Sequence, residues 1–159
     1  MSETRVGMGI DLHRFTSPED PRPLVLGGVT FAGERGLVGH SDADALAHAL
    51  SDALLGAAGL EDIGVHFPDS DPRWKGADSL DLLSATSEMV GAEGWRLVNA
   101  DCTLVAEGPS VAPRRSEMIE KLSRSAGGPV HVKATRPEGL GSLGRLEGVA
   151  CLAVVLLER

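Results

Sequence analysis

Gly148-Val149-Ala150-Cys151-Leu152-Ala153-Val154-Val155-Leu156-Leu157 carries no charge over ten residues. Its β-branched content and its lack of polar alternation read as a strand buried on both faces, which places it in the middle of a sheet. The rest of the chain must therefore supply neighbours on either edge and cover on either side. Working back from it, Thr135 to Glu147 is a Gly-rich loop, and Val130 to Ala134 is a short strand set off by Gly127-Gly128-Pro129. Pro113 suits the first turn of a helix running to about Ser125. Trp95 to Val105 is a further strand, broken by Ala106-Glu107-Gly108-Pro109-Ser110.

Strands and helices mix along the remaining chain as well. Val6, Met8, Ile10 and Leu12 alternate with Gly7, Gly9, Asp11 and His13, a strand with one apolar face. Phe15 to Pro23 is a proline-rich loop. Leu24-Val25-Leu26 and Val29-Thr30-Phe31 flank Gly27-Gly28 as a hairpin or a bulged strand. From about Asp44 the period becomes helical: Leu46, Ala49, Leu50, Ala53, Leu54 and Ala57 form one stripe, capped by Ser41 or Asp42 and ending near Gly56 to Gly59. Glu61 to Ser79 reads as a long loop dense in carboxylates, Gly and Pro, of the kind that serves as a lid or binding loop. A second helix, capped by Asp78 or Ser79, stops at Gly91 to Gly94. This order predicts an α+β fold, a mixed sheet with helices on one side, over residues 1–159 as one domain.

The chain has 159 residues, 20 of them Gly, and a formal net charge of −8. A negative field of that size disfavours nucleic acid and anionic membranes as partners. A phosphate ligand would have to be held by local cations and backbone N–H groups. Met1 to Arg5 lacks a signal or transit pattern, and no apolar run reaches membrane-spanning length. Cys102 and Cys151 sit in strand-like runs with no metal spacing and read as buried free thiols. The expected compartment is the cytoplasm.

The chemistry concentrates in Gly39-His40-Ser41-Asp42-Ala43-Asp44-Ala45-Leu46-Ala47-His48. Asp44, His48 and Asp52 stand four apart, so a carboxylate can orient one nitrogen of His48 while the other ligates. Asp11 and His13 leave their strand on one face. Asp11, His13 and His48 offer one oxygen and two nitrogens, a set that suits zinc or another divalent transition metal with a position left open for catalysis. A solvated polar helix face is the competing reading. His40 precedes the helix, near its positive end, where an anion would sit. His66 reads as a loop residue and His131 as a strand surface residue.

Gly9-Ile10-Asp11-Leu12-His13, His40-Ser41-Asp42-Ala43-Asp44 with His48 and Asp52-Ala53-Leu54-Leu55-Gly56, Asp62-Ile63-Gly64, and Phe67-Pro68-Asp69-Ser70-Asp71-Pro72 with Lys75-Gly76-Ala77-Asp78-Ser79 resemble the 2-C-methyl-D-erythritol 2,4-cyclodiphosphate synthases of the non-mevalonate isoprenoid route. The resemblance runs over essentially the whole chain. It implies a homotrimer whose sheets assemble around a threefold axis, with active sites between subunits. It also implies that 4-diphosphocytidyl-2-C-methyl-D-erythritol 2-phosphate is cyclised with loss of CMP. Zinc would lie on Asp11, His13 and His48, and a second ion, Mg2+ or Mn2+, on Glu138. His40, Glu138 and position 136 would be catalytic. His40 and Ser41 would meet the methylerythritol phosphate, together with Asp11 and His13. Asp62, Ile63, Gly64, Phe67, Asp69 and Asp71 would bind its hydroxyls. Ala106, Glu107, Gly108, Pro109, Ser110, Val111 and Ala112, with Lys133 and Ala134, would form the cytidine pocket. Thr135, Ser142 and Arg145 complete the substrate set.

The chain departs from the family pattern in three places. Ser110 stands where a lysine is frequent. Thr135-Arg136-Pro137-Glu138 replaces three threonines and a glutamate, so Arg136 takes the place of a phosphate-orienting threonine and Pro137 removes a donor. Ser142 stands where an aromatic is common beside the axial cavity, which in some members holds an isoprenoid diphosphate. Two other functions remain open on sequence: a metal-dependent phosphohydrolase with water as nucleophile, and a non-catalytic binder of cytidine diphosphate ligands.

Overall fold

The structure is a computed structural model describing residues 2–159. Its strands are β1 (Thr4–Arg14), β2 (Pro23–Leu26), β3 (Val29–Arg35), β4 (Arg96–Val105), β5 (Val130–Thr135) and β6 (Gly148–Glu158). Its helices are α1 (Ala45–Ala58), α2 (Ile63–His66), α3 (Ser79–Ala92), α4 (Arg115–Ala126) and α5 (Gly141–Gly144). β6 lies inside a four-stranded sheet of order β1-β6-β4-β5, antiparallel to β1 and β4, while β5 runs parallel to β4. The last strand is central, as its composition predicts, and α1 packs on the same face of β1 and β6. β2 and β3 form a separate hairpin whose two turn residues, Gly27 and Gly28, have φ of 59° and 72°, the left-handed pair that a tight hairpin turn requires.

What seats α1 so closely is the absence of side chains beneath it. A Cβ added to Gly9 would come 1.9 Å from the Ala49 carbonyl oxygen, and one on Gly7 would come 2.0 Å from that of Ala53. Glycines on the strand and Ala49, Ala53 and Ala57 on the helix let two backbones approach, and Leu46, Leu50, Leu54 and Leu55 fill the surrounding core. Each buried leucine contributes roughly 1.5–3 kcal/mol relative to exposure. Gly9→Ala is expected to push the helix off the strand and lower stability by about 1–3 kcal/mol or more. An unchanged melting temperature would contradict this account.

Two readings of the sheet need correction. The alternation in β1 marks a strand, but its apolar residues point away from the core. Gly7 and Gly9 face α1, so Val6, Met8, Ile10 and Leu12 face outward. β6 is likewise covered on one face only, with Leu152 and Val154 on the open side. These six side chains are between 37% and 70% exposed and adjoin across the β1–β6 register, where Met8 pairs with Val154 and Ile10 with Leu152. On β4 and β5 the same face turns polar, with Asp101 paired to Lys133.

Local boundaries differ too. α1 is capped by Asp44, whose side chain accepts from Leu46 N and Ala47 N, not by Ser41 or Asp42. Asp44 also accepts from Gly27 N and Gly28 N, at 2.8 and 2.6 Å, so one buried carboxylate ties helix to hairpin. The Glu61–Ser79 loop contains α2 and a 3-10 turn, Pro72–Trp74, and the Thr135–Glu147 loop contains α5. His66 closes α2, with its Nε2 2.7 Å from Leu60 O. His131 is exposed on β5 as read.

Candidate metal centre

The Gly7/Gly9 contact brings the C-terminal half of β1 alongside the first turns of α1, and with it Asp11 and His13 to His48. Asp11 Oδ2 lies 2.8 Å from His13 Nε2 and 3.3 Å from His48 Nδ1, and the two nitrogens are 3.2 Å apart. Among the described residues this is the one group of three His, Cys, Asp or Glu side chains close enough to share an ion. His13 Nδ1 is 2.8 Å from the Val38 carbonyl. A carbonyl only accepts, so Nδ1 carries the proton and Nε2 presents its lone pair. His48 Nε2 faces the hydroxyls of Ser79 and Ser41, at 2.9 and 3.1 Å, leaving Nδ1 toward Asp11.

Asp11 Oδ2 is buried and, despite its closeness to both rings, makes no hydrogen bond of acceptable geometry. One carboxylate oxygen and two imidazole nitrogens thus converge closely enough to share an ion. The residues fit a divalent transition metal. Burial pushes the Asp11 carboxyl up, but when the two imidazoles carry protons toward it they outweigh burial and hold the group far below the usual carboxylate range, so the site favours a cation beside that oxygen. Burial lowers His13, and the Asp11 carboxylate more than reverses that.

Asp44 and Asp52 do not orient His48. Burial, then the charge of Asp42, pushes Asp44 up to about 6 against the pull of its N–H donors. Asp52 Oδ1 accepts from Ile63 N, fastening α2 to α1. The group behind His48 is Ser79, whose Oγ hydrogen-bonds Asp42 Oδ1. The sequence marks Ser79 only as a helix cap, because it is distant in the chain from His48.

Beside the centre opens a cleft of about 380 Å³. Asp11, His13, His40, Ser41 and His48 line it together with Ile63, Gly64, Phe67 and Asp69. Asp62 and Asp71, expected to bind the substrate's hydroxyls, are not among the lining residues; Asp62 caps α2 and Asp71 caps the 3-10 turn. His40 Nε2 lies 3.2 Å from Asp71 O. Trp74, which no motif in the sequence marks, also lines the cleft, edge-on to Phe67 at 5.1 Å.

The expected cytidine residues form a separate hollow of about 190 Å³. Ala106, Glu107, Pro109, Ser110, Val111 and Ala112 line it with Ala134, Thr135 and Arg136. Arg115 lines it as well, a second guanidinium in the hollow where Ser110 stands in place of the family's frequent lysine. Gly108 borders a neighbouring depression with Phe15, Arg35 and Leu146. Lys133 points instead to Asp101 on the open sheet face. Glu138 is exposed, with φ of 54°, and the next residue's N–H donates to Glu107. Ser142 lies on α5, and Arg145 follows it, paired with Glu147 at 2.7 Å. Among the described residues the metal cleft and the Arg136 hollow share no lining residue.

A mixed sheet backed by helices, with an Asp-His-His group able to hold a metal ion beside an open cleft, has the form of a catalytic metal site rather than a closed structural one. The chain belongs to the YgbB family, whose model matches residues 4–158. It is 54% identical over 157 residues to 2-C-methyl-D-erythritol 2,4-cyclodiphosphate synthase of Desulfatibacillum aliphaticivorans, covering 97% of this chain and 99% of that one. Among solved structures it resembles the bifunctional IspDF of Campylobacter jejuni, at 40% identity and a TM-score of 0.93; the match covers 99% of this chain and 43% of that one. It also resembles the CDP complex of IspF from Plasmodium falciparum, at 28% identity and a TM-score of 0.83, covering 97% and 95%. Cys102 and Cys151 are buried and free; burial pushes the Cys102 thiol up to about 12. No helix among the described residues is long and apolar enough to cross a membrane.

Proposed function

We propose that the chain converts 4-diphosphocytidyl-2-C-methyl-D-erythritol 2-phosphate to 2-C-methyl-D-erythritol 2,4-cyclodiphosphate and CMP, in the cytoplasm, as a homotrimer. The observation that carries the reading is the Asp11–His13–His48 convergence with its unsatisfied Asp11 oxygen, in a chain whose relatives are named for that reaction. An oxygen of the 2-phosphate attacks the β-phosphorus, the bond from that phosphorus to the bridging oxygen breaks, and CMP departs with the electron pair. The nucleophile is already ionised, so the protein's task is to bring anions together in line.

Asp11, His13 and His48 would hold zinc, which supplies positive charge to draw electron density from the β-phosphate. His40 and Ser41, which line the same cleft, would bind the methylerythritol phosphate end. The α2 segment with Phe67 and Asp69 would enclose the hydroxyls. The Ala106–Ala112 hollow of a neighbouring subunit would hold the cytidine. Glu138 would carry a second ion, Mg2+ or Mn2+, which ordinarily takes one or two carboxylates and completes its shell with substrate phosphates.

The test is incubation with that substrate and zinc and magnesium in oxygen-18 water, read by phosphorus NMR and mass spectrometry. Cyclic diphosphate without label is expected. Label in the product would favour hydrolysis, and no turnover would favour a non-catalytic binder.

Arg136 lines the nucleotide hollow where the family pattern has threonine. A guanidinium there adds a charge-assisted contact worth roughly 1.5–3 kcal/mol. Arg136→Thr is therefore expected to lower kcat/KM by roughly tenfold to a hundredfold. A clear increase would mean that the arginine obstructs the site.

A further inference from the structure

We infer that Asp42 and Ser79 are positioning residues of the metal centre: through one hydroxyl they decide which nitrogen of His48 faces the ion. The inference rests on the metal reading of Asp11, His13 and His48. A neutral imidazole has one proton and two nitrogens, and nothing in the ring favours the ligating arrangement. Ser79 Oγ is buried, sits 2.9 Å from His48 Nε2, and also meets Asp42 Oδ1. A hydroxyl has one proton to give, and an ionised carboxylate can only accept. The Ser79 proton therefore goes to Asp42, and Ser79 is left to accept from His48. That assigns the ring proton to Nε2 and the lone pair to Nδ1, 3.3 Å from Asp11 Oδ2.

The carboxylate is itself held in place. Asp42 Oδ2 accepts from Ser79 N at 3.1 Å, Oδ1 accepts from Asp44 N at 3.1 Å, and its own N donates to Ala77 O at 3.0 Å. Ser41 Oγ, 3.1 Å from His48 Nε2, accepts from Ala43 N and lies 3.2 Å from Ser79 Oγ; with the Ser79 proton on Asp42, Ser41 donates to Ser79, so it too can only accept from His48. Carboxylate partners of ligating histidines commonly fix the tautomer and raise ligand basicity. Here a serine at the start of α3 is interposed, so the last residues of the Glu61–Ser79 segment are wired to the metal ligand on α1.

The experiment uses the full chain stripped of metal, zinc alone as the probe, and a competing chromophoric chelator. Ser79→Ala and Asp42→Asn are each expected to weaken zinc binding by about tenfold to a hundredfold. Ser79→Thr, which keeps the hydroxyl, should restore it. The double variant should be no weaker than Ser79→Ala, since both changes cut one chain of contacts. Unaltered zinc affinity in Ser79→Ala, or multiplying losses in the double variant, would overturn the relay. Nitrogen-15 NMR of the unaltered chain with zinc decides the matter even where a variant fails to fold: a proton on His48 Nε2 supports the relay, and one on Nδ1 overturns it. If the unaltered chain takes up no zinc, the metal reading itself fails, and the relay with it.

Discussion

His48→Ala is expected to abolish zinc binding and catalysis while leaving the fold in place. His48 would supply one of the three ligands that the described residues bring together, and losing it would leave Asp11 and His13, both on β1, too few to hold the ion. The lost charge stabilisation is several kcal/mol in the transition state, or on the order of a thousandfold or more in rate. The helix should survive, because alanine is its best former and because α1 is anchored by fully buried leucines and the Asp44 cap. The readouts are metal content by elemental analysis, turnover, and helical content by circular dichroism. Full zinc occupancy in a folded variant would rule out His48 as a ligand and remove the main support for the proposed reaction.

Met8→Glu should separate assembly from metal binding. Met8 is 62% exposed in the single chain, beside Val154 and within the apolar face of β1 and β6. A contiguous patch of this kind marks an interaction surface. A glutamate there costs the isolated chain little, but an interface that buried it would have to accommodate an unpaired charge, at a penalty of several kcal/mol for each subunit. The expected result is a monomer by light scattering that still binds zinc through its own Asp11, His13 and His48. Such a monomer would have lost turnover, because no neighbour brings the Ala106–Ala112 hollow to the cleft. An active monomer at assay concentration would refute both the assembly and the shared site. A trimer unaffected by the charge would show that this face is not where the chains meet.

Much of the architecture is legible in the residues because its signals are local. The uncharged Gly148–Leu157 run announces a central strand, the Leu46-to-Ala57 stripe announces α1, and Asp-x-His on a strand end with His48 on a helix proposes a ligand set before any contact is known. Those inferences need only the two backbone periods and the coordination habits of side chains. What the chain alone could not decide is which side of each element meets the core. The alternation of β1 carries no direction, and ordinary experience puts its apolar side inward. Here Gly7 and Gly9 take the inner side, because only a residue without a Cβ lets Ala49 and Ala53 come so close, and Met8 and Ile10 are turned out. The same step of packing sets His48 against Asp11 and His13, brings Ser79 and Asp42 behind it from 31 and 6 residues away, and leaves Arg136 in a hollow apart from the metal cleft. Tertiary structure made these choices because close backbone approach, burial and the satisfaction of polar atoms depend on residues far apart in the chain, and no local pattern records them.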